Sequence, residues 1–167
     1  MISKIIWSYW EGSENKIVDI CRGSWYQYAR DWEVNILNEK SLVKHNLDLP
    51  KTLNKLSPAA KSDIIRLRLL EKYGGLWMDA SVMLHRNLDW LTFFCNINGR
   101  NNIYQYKISY QPWFESNFIF SPKSYNSSIV KWAGLLHDIL EYWPECVDHP
   151  VYKDNIYVYK PEYFMVY

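Results

Sequence analysis

Cysteine is scarce in this chain. Cys21, Cys95 and Cys146 are the whole supply, odd in number and widely spaced. That excludes a disulfide framework and a cysteine-built metal centre, and it favours a reducing compartment, the cytoplasm. Histidine is almost as thin, and His45, His85, His137 and His149 lack the spacing of a metal site. An excess of either charge is also missing. Nineteen Lys and Arg face eighteen Asp and Glu, a net charge of +1, so no basic field gathers nucleic acid. Long apolar runs are lacking: stretches such as Trp90–Cys95 are far too short to span a bilayer. The opening Met1–Trp7 has neither the apolar region nor the cleavage site of a signal peptide. Any membrane contact is expected to be peripheral.

Aromatic residues are abundant. Nine Trp and fourteen Tyr among 167 residues far exceed the usual supply. They serve either a Trp-rich core or carbohydrate binding, where ring faces stack on sugar C–H faces and polar tips bond hydroxyls. The length, 167 residues, suits one domain, although it is short for an enzyme that holds both a donor and an acceptor.

Lys4–Trp10 reads as an apolar strand ending in the turn Glu11-Gly12-Ser13. Asn15–Tyr28 places Ile17, Ile20, Cys21 and Tyr28 near one helical face, and Trp32–Ile36 alternates like a strand. Strand, helix, strand is a βαβ unit, which predicts parallel pairing in an α/β sheet. Ser41–Lys55 is polar and broken by Pro50. Ser57-Pro58 then opens a helix that Gly74-Gly75 ends, and Leu76-Trp77-Met78 follows as a short buried strand. Val82–Leu84 is a second short apolar piece. Ile103–Ile108 and Asn117–Phe120 read as strands, and Ser124–Glu141 as a helix with Ile129, Ala133, Leu136 and Leu140 on one side. The aromatic tail 156–167 is expected to add an edge strand.

The helix after Ser57 carries the chemistry. At about 100° per residue, Lys61, Arg68 and Lys72 share a wet face, with Glu71 at its margin and Ile65 an apolar exception on it. Asp63 and Arg66 fall in the opposite, apolar arc. Buried ions cost several kcal/mol each unless paired, and i,i+3 spacing lets these two meet. They form either a structural pair or the lining of a polar cavity, where a carboxylate accepts from hydroxyls and a guanidinium grips phosphate. Asp79 directly follows the apolar strand, at the carboxyl end where ligands bind in open α/β sheets. An acidic residue there suits a ribose or a divalent cation shared with substrate phosphates.

Ser62-Asp63-Ile64-Ile65-Arg66 and Tyr73-Gly74-Gly75-Leu76-Trp77-Met78-Asp79-Ala80-Ser81 together resemble the sugar-binding region with a DXD motif. That region is shared by the Och1-like mannosyltransferases, the clostridial glucosylating toxins and the capsular polysaccharide synthesis proteins. Lys4–Gly12, Asp31–Val34 and Glu115–Ile119 resemble further segments of this group. The resemblance implies a GT-A-like (Rossmann-like) α/β fold, a mostly parallel mixed sheet flanked by helices. It implies transfer from a nucleotide-sugar donor (UDP- or GDP-sugar) to a glycan or polysaccharide acceptor, generally with retention, and Mn²⁺ or Mg²⁺ as cofactor.

Carried over to these positions, Trp7 stacks on the base. Ser62, Asp63, Arg66, Gly74 and Gly75 belong to the donor site, with Asp63 and Arg66 on the sugar and its phosphate side. Asp79 contacts ribose and metal. Ser81 stands where the family usually has its second metal-binding carboxylate, and a neutral hydroxyl is a weaker ligand. Asp79 and Glu115 are the candidate catalytic residues. Glu115 either supplies a compensating carboxylate, orients the acceptor, or merely precedes a strand. Trp113 either floors an acceptor site or packs in the core, and Trp10 and Trp25 are assigned to packing. The rival expectation is a shortened relative that binds a nucleotide-sugar or glycan without turnover.

Overall fold

A strand with no polar residue must be covered on both faces. Gly75–Met78 (β3) is such a strand, and every residue in it is buried. The computed structural model describes residues 1–13, 15–106 and 115–142. Within them the chain runs β1 (Ile5–Tyr9), α1 (Lys16–Tyr28), β2 (Glu33–Leu37), α2 (Glu39–Leu42), α3 (Pro58–Tyr73), β3, α4 (Asp89–Asn98), β4 (Tyr104–Tyr106), β5 (Glu115–Ser121) and α5 (Ser127–Tyr142). The sheet order is β2-β1-β3-β5-β4. β2, β1 and β3 are parallel; on the far side of β3, β5 runs antiparallel to it and β4 runs antiparallel to β5, so β4 shares the direction of the first three. The expected α/β class and mostly parallel mixed sheet are therefore what the chain adopts.

Strand periodicity divides the core. Trp7, Tyr9, Trp77 and Ile119 point to one face, beneath α3 and α5. Ile6, Leu76, Met78 and Phe120 point to the other, beneath Trp25 and Ala29 near α1 and Leu91 and Cys95 of α4. On α5, Ile129, Ala133, Leu136 and Leu140 are buried, as their spacing predicts.

Two expectations are corrected. α1 is rotated: Val18, Cys21, Ser24 and Trp25 face inward, while Ile17 and Ile20 are exposed. Trp25 decides the phase, because it is the largest side chain on the helix and is fully buried, with its N–H bonded to the Val82 carbonyl at 2.7 Å. The wet face of α3 is largely covered by the segment after β2. Ile65 is fully buried, Arg68 pairs with Asp48 and Glu71, and Lys72 donates to the carbonyls of His45 and Asn46. Trp90–Cys95 belongs to α4, a helix without a side-chain N-cap, so it lacked the start signal that marks α3. Val82–Leu84 is loop. The tail 156–167, Trp113 and residues 107–108 lie outside the described residues.

Gly74 and Gly75 turn the chain from α3 into β3 with φ of 66° and 98°. A Cβ on Gly75 would stand 2.5 Å from the Ile5 carbonyl oxygen, and one on Gly74 2.5 Å from the Lys123 backbone. Gly75→Ala combines a left-handed backbone with a backbone collision and is expected to cost more than about 2 kcal/mol in urea unfolding. Gly23→Ala, in the exposed interior of α1 with open space around it, is expected to stabilise by roughly 0.5–1 kcal/mol. Equal midpoints for the two variants would contradict this role for the glycine turn.

Candidate functional site

The glycine turn makes α3 run back along β3, so the amino-terminal half of α3 stands over the carboxyl edge of the parallel strands. Three contacts fix that direction. Lys61 pairs with Glu11 beyond β1 at 3.1 Å, Arg66 reaches Asp79 beyond β3, and the last α3 residue, Tyr73, packs its ring on Trp7 within β1. Ser57 caps the helix by accepting the Ala60 N–H at 3.3 Å, with Pro58 at the first position.

Arg66 is the centre of the edge. It is buried to 4 % exposure. Its Nη2 lies 2.9 Å from Asp63 Oδ1 and 3.1 Å from Asp79 Oδ1. The guanidinium sits over the Trp77 ring, 5.1 Å from its centroid, and Trp77 Nε1 donates to the same Asp79 oxygen at 2.6 Å. Trp77 and Asp79 are two residues apart and so face the same side of the strand. Arg66 Nε is buried without a hydrogen-bond partner among the described residues. Nothing among them bonds Asp79 Oδ2, and the Asp79 side chain is 35 % exposed. Two carboxylates thus share one guanidinium. Burial pushes the Asp63 carboxyl above its ordinary value, Arg66 opposes that rise, and the Asp79 charge adds to it.

The turn after β3 is pinned from the opposite face. The Val82 N–H returns to the Asp79 carbonyl at 2.9 Å. The Cys21 thiol donates to the Ser81 carbonyl at 3.2 Å, and Ser24 Oγ accepts the Leu84 N–H at 2.8 Å. Ala80 is buried and Ser81 is exposed. The Asp79 N–H donates to the Asn117 carbonyl at 2.9 Å, so β5 begins at this same edge, with Glu115 as its first residue.

The expected residues therefore separate. Asp63, Arg66 and Asp79 meet; Ser62 adjoins them on α3, Ser81 sits on the turn, and Glu115 opens the neighbouring strand. Gly74 and Gly75 lie at the other end of β3, roughly 13 Å away at strand rise, where they make the turn. Trp7 is 3 % exposed, gives its N–H to the Gly74 carbonyl at 2.9 Å and packs against His45 and Tyr73. It presents no open face to a base, because β1 is an inner strand beneath α3. Sequence reasoning missed Trp77, whose place two residues before Asp79 was the available signal. It also missed the Tyr9–Glu11–Lys61 chain, which joins separated segments and left no local trace.

Among the described residues no three His, Cys, Asp or Glu side chains gather as a metal centre. Asp79, with one oxygen open and a hydroxyl-bearing residue two positions on, still fits a hard cation that takes its remaining ligands from water and substrate phosphates.

The sequence model of the family described as capsular polysaccharide synthesis protein matches residues 1–161. Comparison with curated proteins returns no match. Among solved structures, one titled PaToxG glycosyltransferase aligns with a TM-score of 0.61 at 15 % identity, over 97 % of this chain and 67 % of that one. At this identity the likeness is one of fold.

The raised Asp63 value has a stability consequence. The folded protein holds that proton more tightly than the unfolded chain. The contribution is full below the ordinary value of 3.8 and is lost as pH rises through the raised one. Asp63→Asn removes this loss while its amide oxygen still accepts from Arg66. Thermal melts from about pH 4 to 8 should show a flatter profile and no lower midpoint at neutral pH than the parent. A large drop at neutral pH would mean that the ionised pair stabilises the fold.

Proposed function

The chain belongs to the capsular polysaccharide synthesis protein family, and from that premise we propose that it is a glycosyltransferase. In this reading it moves a sugar from a UDP- or GDP-sugar to a glycan or polysaccharide acceptor. The observation that carries the proposal is the buried Arg66 bridging Asp63 and Asp79 at the carboxyl edge of the sheet, where open α/β sheets bind ligands. The glycosyltransferase fold of the structural neighbour supports it.

Charge argues for a divalent cation. With both carboxylates ionised, Asp63, Asp79 and Arg66 sum to a net negative site, which repels a diphosphate. Asp79 through its open oxygen and Ser81 through its hydroxyl are the proposed ligands of Mn²⁺ or Mg²⁺. When bound, the ion supplies positive charge to the leaving diphosphate. Arg66 holds Asp79 in one orientation by the bond it shares with Trp77. Asp63 accepts from the donor sugar's hydroxyls, and the unpartnered Arg66 Nε is a further buried donor at the same place. An acceptor hydroxyl oxygen bonds the anomeric carbon as that carbon's bond to the diphosphate oxygen breaks. The electron pair leaves with the diphosphate, and the hydroxyl proton passes to the diphosphate or to solvent. Retention places the incoming and departing oxygens on one face of the sugar. Glu115, at the start of β5, is proposed to orient the acceptor.

A thermal-shift screen of UDP- and GDP-sugars with and without Mn²⁺ tests donor binding. A donor at about 100 times its dissociation constant adds roughly 2.7 kcal/mol of apparent stability, and the hit identifies base and sugar together. Asp79→Asn should lower turnover by about 100-fold or more with an unchanged circular dichroism spectrum. Undiminished turnover in that variant would overturn the assignment of Asp79. Tight binding without turnover in the parent would favour a non-catalytic binder.

A further inference from the structure

The strand order makes a crevice that the Asp79 cluster only half fills. β1 leads through α1 to β2 on one flank, and the chain then crosses back through α3 to β3 on the other. α1 and α3 cover opposite faces of the sheet. The carboxyl ends of β1 and β3 therefore part at a topological switch point, the place where open α/β sheets hold their ligands. Trp7 is level with Trp77, and the same register brings Tyr9 level with Asp79, on neighbouring strands about 4.8 Å apart. An aromatic cavity of about 690 Å³ lies on the far side of β3 from β1, between the loop after Asp79, α4 and strands β4 and β5. Tyr9, Glu11, Lys61 and Asp79 do not line it.

The β1 side of the crevice carries its own polar network. Glu11, just beyond the strand, accepts the Tyr9 hydroxyl on Oε1 and the Lys61 ammonium on both oxygens, at 3.1 and 3.2 Å. Burial, and next the bond to Glu11, push the Tyr9 hydroxyl above its ordinary value, so it stays a donor. Lys61 and Glu11 cancel in charge, and their side chains are 14 % and 20 % exposed. An ionised carboxylate accepts about four hydrogen bonds, so Tyr9 and Lys61 leave Glu11 with capacity on its exposed side.

We infer that Glu11 accepts the ribose hydroxyls of the donor, so that the site takes ribonucleotide-sugars in preference to 2′-deoxyribonucleotide ones. The inference rests on the transfer reading above for the identity of the donor as a nucleotide-sugar. Charge and capacity divide that donor along the edge. The sugar and diphosphate go to the Asp79 side, where Asp63, Arg66 and a cation meet them. Asp79 has Oδ1 engaged by Arg66 and Trp77 and Oδ2 for the ion, which leaves it little for the ribose. The next group along the donor is the ribose, uncharged and rich in hydroxyls. The next acceptor along the edge is Glu11 in its neutral pair. A carboxylate already matched by a lysine offers no net charge to a phosphate, but its oxygens bond neighbouring hydroxyls strongly.

The test is the affinity of UDP and GDP against their 2′-deoxy counterparts, each with Mn²⁺, by isothermal titration calorimetry. Loss of a hydrogen bond to an ionised acceptor should weaken binding at least about tenfold for whichever base is bound. Glu11→Gln should bring that ratio below about threefold. Glu39→Gln removes an exposed carboxylate at the start of α2 whose charge is felt at Tyr9, and it should leave the ratio at the parent value. A general loosening of the edge weakens both forms alike, so a purely structural Glu11 would not move the ratio. Equal affinity of ribo and deoxy forms, a ratio unmoved by Glu11→Gln, or no binding of either nucleotide would overturn the inference. So would a preference between UDP and GDP that Glu11→Gln abolishes without any dependence on the 2′-hydroxyl, which would move Glu11 to the base. If the ribo form binds tighter through Glu11 but no nucleotide-sugar is turned over, the ribose site stands and the transfer reading fails. If a UDP- or GDP-sugar is turned over while ribo and deoxy forms bind alike, the transfer reading stands and the ribose site fails.

Discussion

One guanidinium organises this protein's carboxyl edge. Arg66 is buried between Asp63 on its own helix and Asp79 at the end of β3, with the Trp77 ring beneath it. A buried positive charge shared by two carboxylates is often no more stabilising than an apolar replacement of the same volume. Burial pushes the Asp63 carboxyl toward the protonated form, and the neighbouring Asp79 charge adds to that. A fold that only needed packing at this place had Leu or Met available. The arrangement makes physical sense if a further cation and a polyanion complete it, as the proposed donor complex would.

The remainder of the architecture holds that guanidinium in position. Gly74 and Gly75 permit a turn tight enough for α3 to lie directly on the strand it precedes. Ser57 and Pro58 fix where the helix starts, and hence which residue stands over the edge. From the other face, Cys21, Ser24 and Trp25 of α1 tie down the loop that follows Asp79. The same loop continues into the wall of the aromatic cavity. The Asp79 edge and that cavity are thus two sides of one turn.

Much of this was legible in the sequence because it rests on local rules. The helical wheel put Asp63 and Arg66 inward, the glycine pair marked the turn, and the apolar tripeptide Leu76-Trp77-Met78 marked a central strand. Other features depend on contacts that no local pattern encodes. The phase of α1 is set by Trp25 reaching the Val82 carbonyl in the loop after β3, not by the isoleucines that dominate its own periodicity. Ile65 is covered by the segment after β2, which reads as polar. Trp7 belongs to an inner strand whose faces were both taken, a fact that only the strand order reveals. α4 resembles an apolar run because its outward residues, Phe93, Phe94 and Ile97, are as hydrophobic as its inward ones.

The most direct test is a crystal structure of the protein with a nucleoside diphosphate and Mn²⁺. The diphosphate is expected at the carboxyl edge, with Asp79 bound to the ion and Arg66 still bridging the two carboxylates. A nucleotide seated elsewhere, with Asp79 and Arg66 untouched by ion or phosphate, would contradict the central role given to that guanidinium.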